Sequence, residues 1–314
     1  MQTSHSSGFT EHHNAAMSNR IRSAPACEDF YELGESPIWD DAHKRLLWVD
    51  IRRGLVLEGE LRARSVVPRR SWSLDGMVGA VAADDDGGLL VAQQNRLIAI
   101  SASGETVLGP WIVPVGVQSR TNDGAVDPYG RFLIGTLSLD GRRGQERLVR
   151  LEHDGSLTVI DDDLGLSNGV AWSPDDATFY NVDTLASTIC AREYDPMGLP
   201  VGARRALVHI DGGLPDGLAV DEEGMLWVAV WGAGEVRRYD PDGELLGSVR
   251  VGVPQVSSVA FAGAALDVLV ITTARHGLEP QELAASPDSG RLFTASPGLR
   301  GRRSTPWRRS ATFD

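Results

Sequence analysis

The chain has 314 residues, 30 Lys and Arg against 43 Asp and Glu, and a formal net charge of −13. A surface this acidic repels phosphate backbones, which argues against a nucleic-acid partner. No apolar run is long enough to span a bilayer and no signal-peptide core opens the chain, so a cytoplasmic protein without a membrane partner is expected.

Residues 1–26 are polar and read as a disordered N-terminal extension, with His12 and His13 belonging to that extension and not to a metal site. Cys27–Leu33 (CEDFYEL) is the first expected strand. A short pattern then recurs six times: alternating small or apolar residues, a turn with Asp or Gly, and a second apolar strand. The copies are SPIWDDAHKRLLWVDI from Ser36, AVAADDDGGLLVAQQ from Ala80, DGAVDPYGRFLIGTL from Asp123, GVAWSPDDATFYNVDT from Gly169, GLAVDEEGMLWVAVW from Gly217 and SVAFAGAALDVLVITTA from Ser258. Periods of about 40–50 residues holding several short strands mark β-propeller blades. Helical solenoids share that period, but here the apolar residues alternate and no 3.6-residue pattern persists. The expected fold is all-β, a six-bladed β-propeller over residues 27–301. Cys27–Leu33 is expected to lend a strand to the last blade and so remove two unpaired edges. The basic end, residues 302–314, reads as a frayed tail. Cys27 and Cys190 can be one disulfide or two free thiols, the latter being simpler in a reducing compartment.

Aligned on their turns (Asp40, Asp84, Asp127, Ser173, Asp221, Ala262), the repeats carry a second column five residues earlier: Glu35, Gly79, Asn122, Asn168, Asp216 and Ser257. In a propeller the first strand of each blade lies nearest the axis, so this column converges on one mouth of the central channel. Carboxylates brought together there repel and are costly to desolvate, and a divalent cation removes that cost. Glu35 and Asp216 would supply the negative charge, with Asn168 and also Asn122 as sources of neutral oxygen. An all-oxygen set favours Ca²⁺, Mg²⁺ or Mn²⁺ and admits Zn²⁺. The competing reading is that Asn-Gly and Asp-Gly are simply turn dipeptides. Arg120 lies two residues before Asn122, on the same side of an extended segment, where it can donate to substrate oxygens. Asp123 would orient Arg120 or receive a substrate hydroxyl. Three other motifs fail for lack of context: Gly165–Gly169 (GLSNG) opens a strand and not a nucleophile elbow, Asp84–Gly88 lacks the spacing of an EF-hand, and Gly232-Ala233-Gly234 has no following helix.

LGESPIWDDAHKRLLWVDI, RTNDGAVDPYGRFLIGT, LSNGVAWSPDDATFYNVDT and PDGLAVDEEGMLWVAVWGAGEVRRYDPDG, in that order, resemble the hallmark segments of the senescence-marker-protein/gluconolactonase/regucalcin-like family. The resemblance runs from about Leu33 to about Gly301. It implies one divalent cation (Ca²⁺, Zn²⁺, Mn²⁺, Mg²⁺ or Fe²⁺) on Glu35, Asn168 and Asp216, and substrate contacts from Arg120 and Asn122. It also implies an acidic substrate contact at Asp140 and hydrolysis of a small-molecule sugar lactone to the aldonic acid, by a monomer or small homo-oligomer. Asp216 is then both ligand and candidate general base. Two rivals stand beside this reading: a metal-dependent arylesterase or phosphotriesterase on the same cation, and a non-enzymatic Ca²⁺-binding propeller.

Overall fold

The acidic turn column has a backbone cause. Asp127 Oδ1 accepts the N–H groups of Tyr129 and Arg131, both at 2.9 Å, and Asp221 Oδ1 accepts those of Glu223 and Met225 at 3.0 and 2.9 Å. Asp84 does the same for Asp86 and Gly88, and Ser173 Oγ accepts from Thr178 N–H. Each pins the hairpin between the first two strands of its blade, which is the work short Asp and Ser side chains do best.

The computed structural model describes residues 20–195, 200–309 and 313. Its strands form six antiparallel sheets, each following sequence order from the innermost strand outwards. Blade one is Gly34–Asp40, Arg45–Asp50, Leu55–Arg62 and Ser65–Ser73; blade two is Val78–Ala83, Leu89–Gln93, Arg96–Ile100 and Thr106–Trp111. Blade three is Ser119–Val126, Phe132–Ser138, Glu146–Leu151 and Leu157–Leu164; blade four is Ser167–Trp172, Thr178–Asp183, Thr188–Tyr194 and Pro200–His209. Blade five is Leu214–Val220, Leu226–Trp231, Glu235–Tyr239 and Leu245–Arg250; blade six is Val256–Ala262, Val268–Thr273 and Phe293–Ala295. The six-bladed propeller expected from the repeats is the fold. Apolar side chains of the inner strands fill the spaces between blades, with Trp48, Trp227, Phe132 and Phe179 fully buried. Among the described residues no helix is long and apolar enough to cross a membrane.

The ring closes differently from expectation. Ala24–Pro25, not Cys27–Leu33, is the fourth strand of blade six, paired antiparallel as Ala24↔Thr294 and Pro25↔Phe293. Arg20–Arg22 adds a fifth, parallel strand to blade five. Ordered propeller therefore begins before residue 27. Cys27–Leu33 cannot be a ladder strand because it carries the chain inward from the rim to the axis. It crosses blade six with Tyr31 N–H on Gly290 O and with Glu32 O accepting from Arg275 and His276 N–H, and only Leu33 makes a bridge, to Ala274. Both cysteines are free and buried, and burial pushes each thiol up.

The C-terminal segment is also placed, as far as Arg309. Glu222 N–H donates to Arg300 O, Gly301 N–H to Leu266 O, Trp307 N–H to Ala83 O and Arg308 N–H to Gly130 O. Arg302 donates to Trp172 O, Ser173 O and Asp176, Arg303 pairs with Asp41, and Arg309 with Asp84. Residues 300–309 thus touch all six blades and form a strap across the turn end of the channel. Its anchor is Trp307, 1% exposed and packed edge-on against Phe313. The basic composition that reads as a solvated tail instead answers the ring of acidic turns. Between the strap and the other mouth lies an axial cavity of about 430 Å³, lined by Ser36, Val81, Asp123, Val170, Leu218 and Arg302 among others.

Candidate active site

In every blade the pairing of the first two strands slips at the column. The register shifts lie between Glu35 and Ile38, Val78 and Ala80, Thr121 and Gly124, Asn168 and Val170, Pro215 and Leu218, and Val256 and Ser258. A local bulge re-aims side chains, and a bulge repeated six times at one height gathers its residues at one mouth. The turn-dipeptide reading is therefore wrong for Asn168-Gly169 and Asp216-Gly217, both inside innermost strands. Their glycines are needed for close approach of the next blade: a Cβ on Gly169 would lie 2.6 Å from Asp216 O, and one on Gly217 2.0 Å from Ser258 Oγ. Gly79 has the same cause, since its Cβ would meet Asn122 O at 2.4 Å.

Glu35, Arg120, Asn122, Asp123, Asn168 and Asp216 are all buried. Burial, then Asp216 and Asp123, push the Glu35 carboxyl well above its usual range, against the pull of the Ser36 N–H and Arg120. Burial and then Asp123 do the same to Asp216, opposed by Asn168 and Arg120. Burial raises Asp123 to about 6, although Oδ1 accepts the Gly124 N–H at 2.8 Å. Arg120 is drawn down to about 10 by burial and by Arg52, while Glu35 and Asp216 hold its proton. Three carboxylates and one guanidinium therefore share one desolvated mouth.

The amides separate into two roles. Asn122 Oδ1 accepts from Arg120 Nη1 at 2.8 Å and its Nδ2 donates to Ser167 O at 3.0 Å. Both ends of that amide are thus engaged by the protein, which makes Asn122 a brace for Arg120. Asn168 Nδ2 donates to Thr184 Oγ1 at 3.1 Å, and Thr184 Oγ1 donates to Pro215 O at 2.8 Å, which turns Asn168 Oδ1 the other way. Among the described residues, Asn168 Oδ1 and Asp216 Oδ1 are buried without any hydrogen-bond donor. Oxygens desolvated and left unpaired cost free energy, and two beside the raised Glu35 carboxyl fit the donor set a hard divalent cation takes. Among the described residues no three carboxylate, imidazole or thiolate side chains form a ready metal cluster; the fit concerns two carboxylates and one amide. Ser257 Oγ is spent on Gly34 O, so this column member is structural.

Asp140 is not drawn into the buried group. It stands 42% exposed by its side chain, accepts from Ser138 Oγ and Arg142 Nε at 2.7 Å, and is pulled down to about 2 by these partners. Sequence reading missed Thr184, whose only signal is a hydroxyl directly after the Asn-Val-Asp of blade four, and it missed Arg52.

Six blades around an axial mouth that gathers buried carboxylates, an amide and an arginine define the class: a six-bladed β-propeller with a polar axial site. Residues 33–275 match the family model described as the SMP-30/Gluconolactonase/LRE-like region. The chain is 34% identical over 267 residues to regucalcin of Danio rerio, covering 83% of this chain and 90% of that one. It is 34% identical over 275 residues to a 6-deoxy-6-sulfogluconolactonase of Pseudomonas putida, covering 86% and 92%. Among solved structures, the calcium-binding protein regucalcin of Agrobacterium tumefaciens superposes with a TM-score of 0.85 at 28% identity, covering 92% of this chain and 98% of that one. The chain belongs to the SMP-30/gluconolactonase/LRE-like family.

Proposed function

We propose that this protein is a metal-dependent lactonase that opens a sugar lactone to its aldonic acid. The observation that carries the reading is the pair of donorless buried oxygens, Asn168 Oδ1 and Asp216 Oδ1, beside a Glu35 carboxyl that burial and Asp216 disfavour as an anion. Glu35, Asn168 and Asp216 would hold the cation. When bound, a divalent cation supplies Lewis-acid polarisation of a carbonyl, the chemistry an unactivated lactone needs.

The remaining work falls to side chains. Arg120 has Nη1 tied to Thr121 O and Asn122 Oδ1, so its orientation is set before substrate arrives. Its other N–H groups have no acceptor among the described residues and would donate to ring hydroxyls. Asp216 would take the proton from the attacking water as general base. Asp123, raised to about 6, faces the axial cavity and would receive a substrate hydroxyl. Asp140 would meet sugar only at the rim, where Arg142 already holds it. Two free buried thiols accord with a reducing compartment such as the cytoplasm. The relatives that bear lactonase and calcium-binding names support both halves of the reading.

The test is a panel of lactones assayed by proton release at fixed pH, after chelation and after adding back Ca²⁺, Zn²⁺, Mn²⁺, Mg²⁺ or Fe²⁺ singly. Activity lost on chelation and restored by at least one ion is expected. Asp216→Asn should stay inactive even at full occupancy, measured in the same sample. No hydrolysis of any lactone with any ion would favour a binding protein instead.

A further inference from the structure

The pairing Glu35↔Val49 and Gly34↔Asp50 places the turn that follows, residues 51–54, at the same mouth as the column. Arg52 sits in that turn. Its side chain is 41% exposed, and among the described residues its one ionic contact is Nε to Glu32 Oε1 at 3.5 Å, an oxygen it shares with His276 Nδ1 at 3.2 Å. Among the described residues its terminal amino groups have no acceptor. The equivalent turn of blade four carries Leu185, 37% exposed, and blade five opens with Leu214, also 37% exposed. One side of the mouth thus carries an arginine and the facing side apolar side chains.

Charge balance gives this asymmetry meaning. In the proposed site, Glu35, Asp123 and Asp216 are offset by Arg120 and a divalent cation. Arg52 is offset only through Nε, by Glu32; among the described residues its terminal amino groups stay without an acceptor, and its charge reaches the Arg120 guanidinium. Two guanidiniums that repel across a mouth are brought to rest by an anion between them.

We infer that Arg52 is a specificity-determining residue that binds an anionic substituent on the sugar, so the substrate class is an acidic sugar lactone. This rests on the lactonase reading for the identity of the reaction, and the test is chosen to separate the two. Calorimetric titration of the Ca²⁺-loaded protein with 6-phosphogluconate and with gluconate compares an acidic and a neutral tail on one polyol, without turnover. 6-Phosphogluconate should bind about ten-fold tighter or more, a preference weakened by salt. Arg52→Gln should erase that preference, and Arg52→Lys should keep part of it. Equal affinities in the wild type, or a preference that survives Arg52→Gln, would overturn the inference, the latter pointing to phosphate on the metal. In turnover of the corresponding lactones, the Arg52→Gln loss should fall on KM and be larger for the phosphorylated one; equal losses would again count against it. If neither lactone is opened, the lactonase reading fails while the titration still decides Arg52.

Discussion

At the strap end of the channel the acidic turn side chains are paired: Asp221 holds two backbone N–H groups, Trp227 Nε1 and Arg238, while Arg302 and Arg309 reach Asp176 and Asp84. At the opposite mouth, built from the same six strands, Asn168 Oδ1 and Asp216 Oδ1 lack donors and three carboxyls are raised by burial and by one another. One end is tied together by ion pairs and backbone hydrogen bonds, and the other, where the cation is proposed to bind, keeps buried polar atoms unpaired. Such strain at a working site is tolerated only because the surrounding fold over-determines it.

If this contrast is right, substitutions at the two ends should have opposite signatures. Asp216→Ala should lower kcat/KM on a sugar lactone by about a thousand-fold or more, since ligand and base go together. The same change should leave the metal-free protein as stable as the wild type or more so, because it removes one of the repelling buried carboxyls. A metal-free protein destabilised by Asp216→Ala would break the contrast.

Trp307→Ala should do the reverse. Truncating a buried tryptophan costs about 3–5 kcal/mol, seen as a lower midpoint in denaturant, while calcium affinity measured on the folded protein stays near the wild-type value. A loss of metal binding as large as the loss of stability would mean that the two ends are not separable.

Thr184→Val keeps the shape but removes the hydroxyl that turns the Asn168 amide. Metal affinity should fall about ten- to a hundred-fold, the usual effect of losing an orienting partner, with little change in metal-free stability. A titration with Ca²⁺ against wild type reads this directly.

The smallest effect is in pH. A carboxyl whose pKa rises on folding holds its proton more tightly in the folded chain. Its contribution is therefore full at acid pH and is lost as pH climbs through the folded value. For Asp123 that window runs from its ordinary 3.8 to about 6, and Glu35 and Asp216 shift the same way. The chelated protein should lose stability across this range, and Ca²⁺ should restore more of it at neutral pH than at acid pH. A calcium-induced rise in Tm that does not grow with pH would remove the carboxyl cluster as its source.

Much of this was legible in the residues. The period, the alternation and the turn column each report local chemistry: short Asp and Ser side chains capping hairpins, and side chains alternating across a pleat. The polar column was legible for the same reason, because a closed repeat turns equal sequence phase into equal depth. Within the column, however, Asn122 and Asn168 look alike, and only their neighbours separate them. Asn122 is engaged at both ends by Arg120 and Ser167 O, whereas Asn168 is held only through Nδ2 by Thr184, which is held by Pro215 O on the next blade.

What tertiary structure alone decided are contacts between segments distant in sequence. Ala24–Pro25 closes blade six because Cys27–Leu33 is needed to bring the chain in to the axis, a matter of path that no local propensity records. Arg302, Arg303 and Arg309 look like a solvated basic tail until blades four, one and two present Asp176, Asp41 and Asp84 to them at one end of the channel. Local sequence determined the repeat, its turns and the height of the polar column, since those follow from side chains acting on their own backbone. Which polar atoms were paired and which were left without a partner was settled only when the ring closed, because a hydrogen bond needs a partner that the other blades supply.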